Sequence, residues 1–268
     1  MLIGTMNHPA RDVVAEIEWM AAMGLEFVDL TLEPPCAGSW HVDAAAIRAA
    51  LERHGLQVVG HTAYYLPLAS AIEEVRLGAV RELRRCIDIF GKVGARWMNL
   101  HPDRHTPFHD RSFYIGRNIQ SIRDLLPDAE RAGIGLMIEN LPGEFNNTSQ
   151  LGELLDPLPE LGLHLDIGHA NLQNPYNMTR EILMAYGKRL RHVHLHDNKG
   201  GSADLHMPLG SGTVDVRGSV EALRWCGYDG TITLEVFTPD KSYLLYSRDL
   251  LRKIWDGFEN VLATDARR

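Results

Sequence analysis

Along the chain, short apolar runs alternate with longer segments of helical period, and the alternation repeats eight times. The runs predict strands at Leu2–Met6, Glu26–Leu32, Leu56–Thr62, Arg96–His101, Ile134–Asn140, Gly162–Ile167, Arg191–His196 and Thr231–Val236. Between them the 3.6-residue period predicts helices in segments such as Asp12–Met23, Asp43–His54, Ala71–Val93, Asn118–Ala132, Arg180–Lys188 and Ser219–Trp225. Most of these segments run into a glycine (Gly24, Gly55, Gly94, Gly133, Gly227) just before the next strand, as helix C-caps do. Strand after helix after strand, with no hairpin signal, predicts a parallel sheet. Eight such units in about 250 residues is the size of a closed (β/α)₈ TIM barrel. An open doubly wound sheet is the alternative, but no Gly-x-Gly-x-x-Gly follows the first strand. No linker or shift of composition divides the chain, so residues 1–268 are expected to form one barrel domain.

Composition narrows the class. The 45% hydrophobic and 23% charged residues are those of a globular protein. No apolar run approaches the ~18 residues of a membrane helix, and Met1 leads into Leu2–Met6 without the basic start of a signal peptide, so no membrane partner and a cytoplasmic location are expected. Cys36, Cys86 and Cys226 are odd in number and in no Cys-x-x-Cys pattern, which argues against a disulfide framework and a thiolate zinc site. A net charge of −8 gives no general attraction to nucleic acid or anionic lipid, so an anionic substrate needs something local to hold it.

The thirteen histidines and their acidic neighbours supply that local feature. In a barrel of this kind the active site forms where strands end and loops begin. Here strand three ends at His61, strand four at His101, strand five at Glu139, strand six at Asp166, strand seven at His194 and strand eight at Glu235. His169 follows Asp166 by three residues, and Asp204 and His206 follow strand seven. One histidine at a strand end is ordinarily a hydrogen-bonded core residue, and one carboxylate there a helix cap. Six successive strand ends in His, Asp or Glu, on segments that meet only in a barrel, predict a cation, because such groups are costly to bury together without one. Nitrogen and oxygen donors without cysteine suit Zn²⁺, Mn²⁺ or another divalent ion at a catalytic site.

The motifs His61-Thr-Ala-Tyr64, Leu100-His101-Pro102, Ile138-Glu139-Asn140, Asp166-Ile-Gly-His169, Val193-His194-Leu-His-Asp197, Asp204-Leu-His206-x-x-Leu209-Gly210-x-Gly212 and Leu234-Glu235 resemble those of the xylose isomerase-like TIM barrels (AP endonuclease family 2) across essentially the whole chain. Within these the chain is most similar to the endonuclease IV branch. The resemblance implies up to three zinc ions: one held by His61, His101 and Glu139, a second by Glu139, Asp166, His194 and Glu235, and a third by His169, Asp204 and His206. Sugar and sugar-phosphate isomerases and epimerases of the same superfamily are also similar, and they use one metal on residues matching Glu139, Asp166, His194 and Glu235.

Two functions therefore stand side by side. Three zinc ions bring about six positive charges and four carboxylates remove about four, leaving roughly +2 at the barrel mouth, a field that fits a phosphoryl group. Clustered ions can also stabilise both oxygens of an in-line displacement, which favours a phosphoesterase. The alternative is a single-metal isomerase or epimerase in which Glu139 and Glu235 shuttle a proton on and off carbon. A zinc-stabilised binding protein is least favoured, since structural zinc sites are closed and small. The resemblance weakens in the loop after strand two, Glu33-Pro-Pro-Cys-Ala-Gly-Ser-Trp40, which has no Arg or Lys to grip abasic DNA. Its Trp40 either wedges against a base or sugar or packs on a neighbouring helix. A small sugar or phosphorylated substrate is the expected partner, contacted by Tyr64, by Arg104 within the loop Asp103–Arg111, which also contains His105 and His109, and by Lys199. A solvated polar loop is the other reading of that loop. His164, His192 and His196 share strand parity with the ligands and are expected as core or supporting residues, and Asn7 and His8 are left outside the site.

Overall fold

The computed structural model describes residues 1–104 and 106–265. Eight parallel strands close in sequence order into a barrel: β1 Leu2–Met6, β2 Phe27–Leu32, β3 Gln57–Thr62, β4 Trp97–Leu100, β5 Gly135–Glu139, β6 Gly162–Asp166, β7 Leu190–Leu195 and β8 Thr231–Leu234. Closure is set by β1 against β8, with Leu2 opposite Thr231 and Gly4 opposite Thr233. The intervening helices are α1 Val13–Ala22, α2 Ala44–His54, α3 Glu73–Val93, α4 Arg111–Ala132, α5 Thr148–Leu155, α6 Thr179–Tyr186 and α7 Val216–Trp225, with α8 Ser242–Asp265 after the last strand. This is the predicted (β/α)₈ barrel. Among the described residues, no helix is long and apolar enough to cross a membrane.

The glycine stops act as read, and side chains cap several of the helix starts. Asp12, Asp43, Asp110, Asn147 and Asp215 accept hydrogen bonds from first-turn amides of α1, α2, α4, α5 and α7. Gly55, Gly94 and Gly133 end their helices in the left-handed conformation, and Gly24 and Gly227 take it one residue past the cap. Helix α5, eight residues long, and α8, beyond the last strand, are the two helices without a named counterpart among the predicted segments. Helix α4 starts at Arg111 rather than near Asn118 because Asp110 accepts from Phe113 N at 3.1 Å.

The main apolar core lies between barrel and helices, and Arg76, 2% exposed, locks α3 to α4 through Glu73, Asp124 and Ser121. Inside the barrel the character changes along the axis. One layer is apolar, built on Phe27, Val59 and Met137, and beyond it the interior becomes a column of histidines and carboxylates. Asn7 closes the top of β1 onto β2, accepting from Thr31 N at 2.8 Å and donating to Thr31 O at 3.2 Å. It is thereby a backbone clamp. His8 Nδ1 accepts from Ala10 N.

Candidate metal centre

All nine predicted ligands converge at the C-terminal mouth. His61, His101, Glu139, Asp166, His169, His194 and Glu235 are buried, while Asp204 and His206 cover them from the loop after β7. Their donor atoms fall into overlapping groups. In the first, His61, His101 and Glu139 face one another, with His101 Nε2 2.8 Å from Glu139 Oε2 and the His61 and His101 rings 5.0 Å apart edge to face. Next to it, Asp166 Oδ2 lies 3.3 Å from His169 Nδ1 and 4.0 Å from His194 Nδ1, which is itself 3.3 Å from Glu235 Oε2. In the outermost group His169 Nε2 lies 3.1 Å from Asp204 Oδ2, and His206 Nδ1 lies 3.5 Å from Asp204 Oδ1. Glu139 takes part in two of the groups, since Oε1 also lies 3.4 Å from His169 Nδ1.

Electrostatics explain what such a set asks for. Burial alone would raise the carboxyls of Glu139, Asp166 and Glu235, but the imidazoles beside them outweigh it and hold all three below their ordinary range. Conversely, burial would lower His169, but Asp166, Asp204 and Glu139 push it up to about 10. His61, where burial dominates, falls to about 4. Several donors are left over. His101 Nδ1, Asp166 Oδ2 and His196 Nε2 are buried with no hydrogen-bond partner, an arrangement that a protein rarely leaves unless something else completes it. Four carboxylates, five imidazoles and these orphaned atoms fit divalent ions.

The surroundings fix the donors in place. Asn99 donates to Glu139 Oε2 at 3.1 Å, and Asn140 O accepts from His169 Nδ1 at 2.9 Å, which points His169 Nε2 at Asp204. Behind His194 stands Asp29, a residue the sequence reading missed. Its Oδ2 accepts from His194 Nε2 at 2.7 Å and from Thr233 Oγ1 at 2.8 Å, and lies 3.3 Å from His192 Nε2. Burial alone would raise this carboxyl, yet its bonds to His192 and His194 hold it well below the ordinary value. A carboxylate on Nε2 commits the Nδ1 lone pair of His194 to the mouth. His192 is core, as expected, bonded to Thr231, Thr233 and Asp29. His164 is fully buried among these rings. His196 lies closer to the donors than a supporting role requires, with Nε2 3.5 Å from Asp204 Oδ1 and 3.4 Å from Asp166 Oδ1.

The loop that brings Asp204 and His206 in is anchored on Asp197. Buried, it accepts backbone N–H groups of Asn198 and Val214 on Oδ1 and of Gly210 and Gly212 on Oδ2, at 2.8–3.0 Å. The Gly-x-Gly of the motif follows from this: Gly210 has φ +82°, and a Cβ on Gly212 would lie 2.1 Å from Asn198 O. His206 itself holds φ 46°, a region costly for a residue with a side chain.

The expected substrate contacts are less engaged. Tyr64, Arg104 and Lys199 are exposed, in loops following β3, β4 and β7 on the mouth side. Arg104 makes one long contact, 3.4 Å, to Pro142 O, and Tyr64 packs edge-on against Tyr65. Arg111, grouped with that loop in the sequence, is the first residue of α4 and is held by Glu144 and Glu153, so it is not free to meet substrate. His109 stacks on Phe113 at 3.9 Å, and His105 lies outside the described residues. Trp40 is 64% exposed, its ring over Gly38.

Comparison with known proteins agrees with this fold. The family model described as xylose isomerase-like TIM barrel matches residues 17–254. An uncharacterized protein of Methanocaldococcus jannaschii is 30% identical over 213 residues, covering 75% of this chain and 72% of its own. A probable endonuclease 4 of Aquifex aeolicus is 26% identical over 279 residues, 96% of this chain and 98% of that one. Among solved structures, a D-tagatose 3-epimerase-like protein superposes with a TM-score of 0.84 over 98% of this chain and 100% of that one, at 22% identity.

Proposed function

We propose, for a chain that belongs to the xylose isomerase-like TIM-barrel family, the activity of a divalent-metal-dependent phosphoester hydrolase that holds three zinc-type ions and acts on a sugar-phosphate-type phosphoester. One observation carries this reading. The set sufficient for a single metal, Glu139, Asp166, His194 and Glu235, is flanked on one side by His61 and His101 and on the other by His169, Asp204 and His206, all with donor atoms directed inward. An enzyme that needs one ion has no use for five further donors. When bound, the ions would supply positive charge and Lewis acidity facing the phosphoryl oxygens. The chain's own part is positional. Asn99 orients Glu139, Asp29 orients His194, and Asn140 orients His169. Tyr64, Arg104 and Lys199 are the proposed contacts for the sugar and phosphate of the substrate, the two cations being exposed above the mouth where a polyanion would dock. Like the endonuclease IV-type donor set, a cytoplasmic location and a barrel that forms a single domain belong to this reading.

A second reading, a single-metal sugar or sugar-phosphate epimerase with Glu139 and Glu235 as the proton-transferring pair, is favoured by one feature. The loop Glu33–Trp40 lacks a basic residue, while Trp40, Tyr64, Tyr65 and Phe237 expose aromatic faces in loops on the mouth side, suited to a small sugar. Metal titration of chelator-stripped protein, combined with His206→Ala, decides between them. The hydrolase should saturate at about three ions, and the variant should bind its weakest ion at least about tenfold less well and lose several kcal/mol of transition-state stabilisation toward a phosphodiester. Wild-type protein that saturates at one ion, interconverts sugars and leaves phosphoesters intact would overturn the hydrolase in favour of the epimerase.

A further inference from the structure

The outermost donor group contains a residue beyond the nine. We infer that His196 is a direct ligand of the third ion, so that this ion sits in a pocket of three imidazoles and one carboxylate, His169, His196, His206 and Asp204. The inference rests on the three-ion reading above, and it gives that reading's third site a composition of its own.

Five observations bear on His196. Its donor atom and those of His169, Asp204 and His206 all lie within 4.8 Å of one another, near enough for small side-chain movements to gather them around one ion. Nε2 is 3.5 Å from Asp204 Oδ1, the same separation that His206 Nδ1 shows. The residue is 0% exposed, and Nε2 is buried without a hydrogen-bond partner: it passes Asp166 Oδ1 at 3.4 Å, but that oxygen is already engaged by His169 N at 2.8 Å. The other ring nitrogen, Nδ1, reaches Asp197 O at 3.4 Å, and an N–H directed there leaves the Nε2 lone pair facing the pocket, the disposition of a ligating imidazole. Finally, the chain makes room for the ring. A Cβ on Gly168 would lie 2.2 Å from His196 Nε2, so the glycine between Asp166 and His169 is what allows the imidazole to reach this position. The ring then stacks on His206, with centroids 4.3 Å apart and planes 25° from parallel.

The composition has consequences. Three nitrogen donors and one oxygen favour zinc or cobalt over manganese or magnesium, which prefer oxygen. Four protein donors would be enough to complete a tetrahedron around the third ion, whereas the three donors His61, His101 and Glu139 would leave an open position at the first. A lone hydrogen bond from His196 to Asp166 is the competing account.

The test uses full-length protein stripped of metal and titrated with Zn²⁺ and with Co²⁺, whose visible absorption is intense in tetrahedral sites and weak in six-coordinate ones. Wild-type should take up three ions, the third adding a tetrahedral cobalt absorption of its own. His196→Ala should weaken that ion about tenfold to a hundredfold, abolish its tetrahedral absorption and leave the other two affinities unchanged. Gly168→Ala, which keeps every donor but displaces the ring, should do the same and serves if His196→Ala does not fold. Wild-type taking up three ions, with the third ion's affinity and cobalt spectrum unchanged in the folded variant, would overturn the inference while leaving the three-ion reading intact. Wild-type taking up fewer than three ions would instead overturn that reading, and with it the third site.

Discussion

Replacing Asp197 by Asn changes one atom, and the structure says how much that atom holds. Each carboxylate oxygen accepts two backbone N–H groups, Oδ1 those of Asn198 and Val214 and Oδ2 those of Gly210 and Gly212, and the residue is fully buried. In Asp197→Asn one oxygen becomes an NH₂ directed at two donors, so two amides lose their acceptor. At about 1–3 kcal/mol for each unsatisfied buried group, and with less than full additivity, the loop anchored there should lose about 2–5 kcal/mol. Asp197 also pairs backbone to backbone with Met207, at 2.9 and 2.8 Å, so it stands at the base of the loop that presents Asp204 and His206. Amide hydrogen exchange at Gly210, Gly212 and Val214 should accelerate by at least about thirtyfold, the equivalent of about 2 kcal/mol. Zinc titration should show the weakest ion bound at least about tenfold less well, with the other ions little changed. If exchange at these amides stays at the wild-type rate and all ions bind as before, the Asp197 anchor does not hold the loop, and the reasoning fails.

Asp29→Asn should weaken the ion held by His194 about tenfold or more, because the carboxylate that commits its tautomer is gone; chelator competition measures this, and a folded variant with unchanged affinity would show that Asp29 does not orient His194. Arg76→Ala should cost about 2 kcal/mol in denaturant unfolding, less than the ~3–5 kcal/mol of a fully buried pair because Glu73 and Asp124 are 43% and 36% exposed; a loss under about 0.5 kcal/mol would refute the α3–α4 lock. Undamaged duplex DNA should bind weakly at physiological salt, given a net charge of −8 and a β2 loop without a basic residue, and fluorescence anisotropy revealing tight binding that falls steeply with added salt would show a DNA grip elsewhere on the surface.

The barrel was legible in the sequence because its signals are local. Short apolar runs, period-3.6 patterns and glycines past helix ends act within one turn or one strand, and eight repeats leave few topologies open. The nine donors were legible for a related reason: strand ends in a barrel meet at one rim whatever the details of packing, so residues such as His61 and Glu235, far apart in the chain, are brought together by the fold class itself. What stayed hidden depends on which atoms meet across the interior. Asp29 lies within Phe27–Leu32, a run otherwise apolar but for Thr31, and nothing nearby shows that barrel closure sets it against His194, 165 residues away. That Arg111, at the end of the loop after β4, is tied up could not be read either, because its partners, Glu144 and Glu153, come from the β5–α5 connection and α5. Strand parity put His196 on the inward face. Only the approach of its Nε2 to Asp204, over a glycine that leaves space for the ring, decided that it stands among the donors, since distance and open volume are set by three-dimensional packing and leave no periodic trace in the chain.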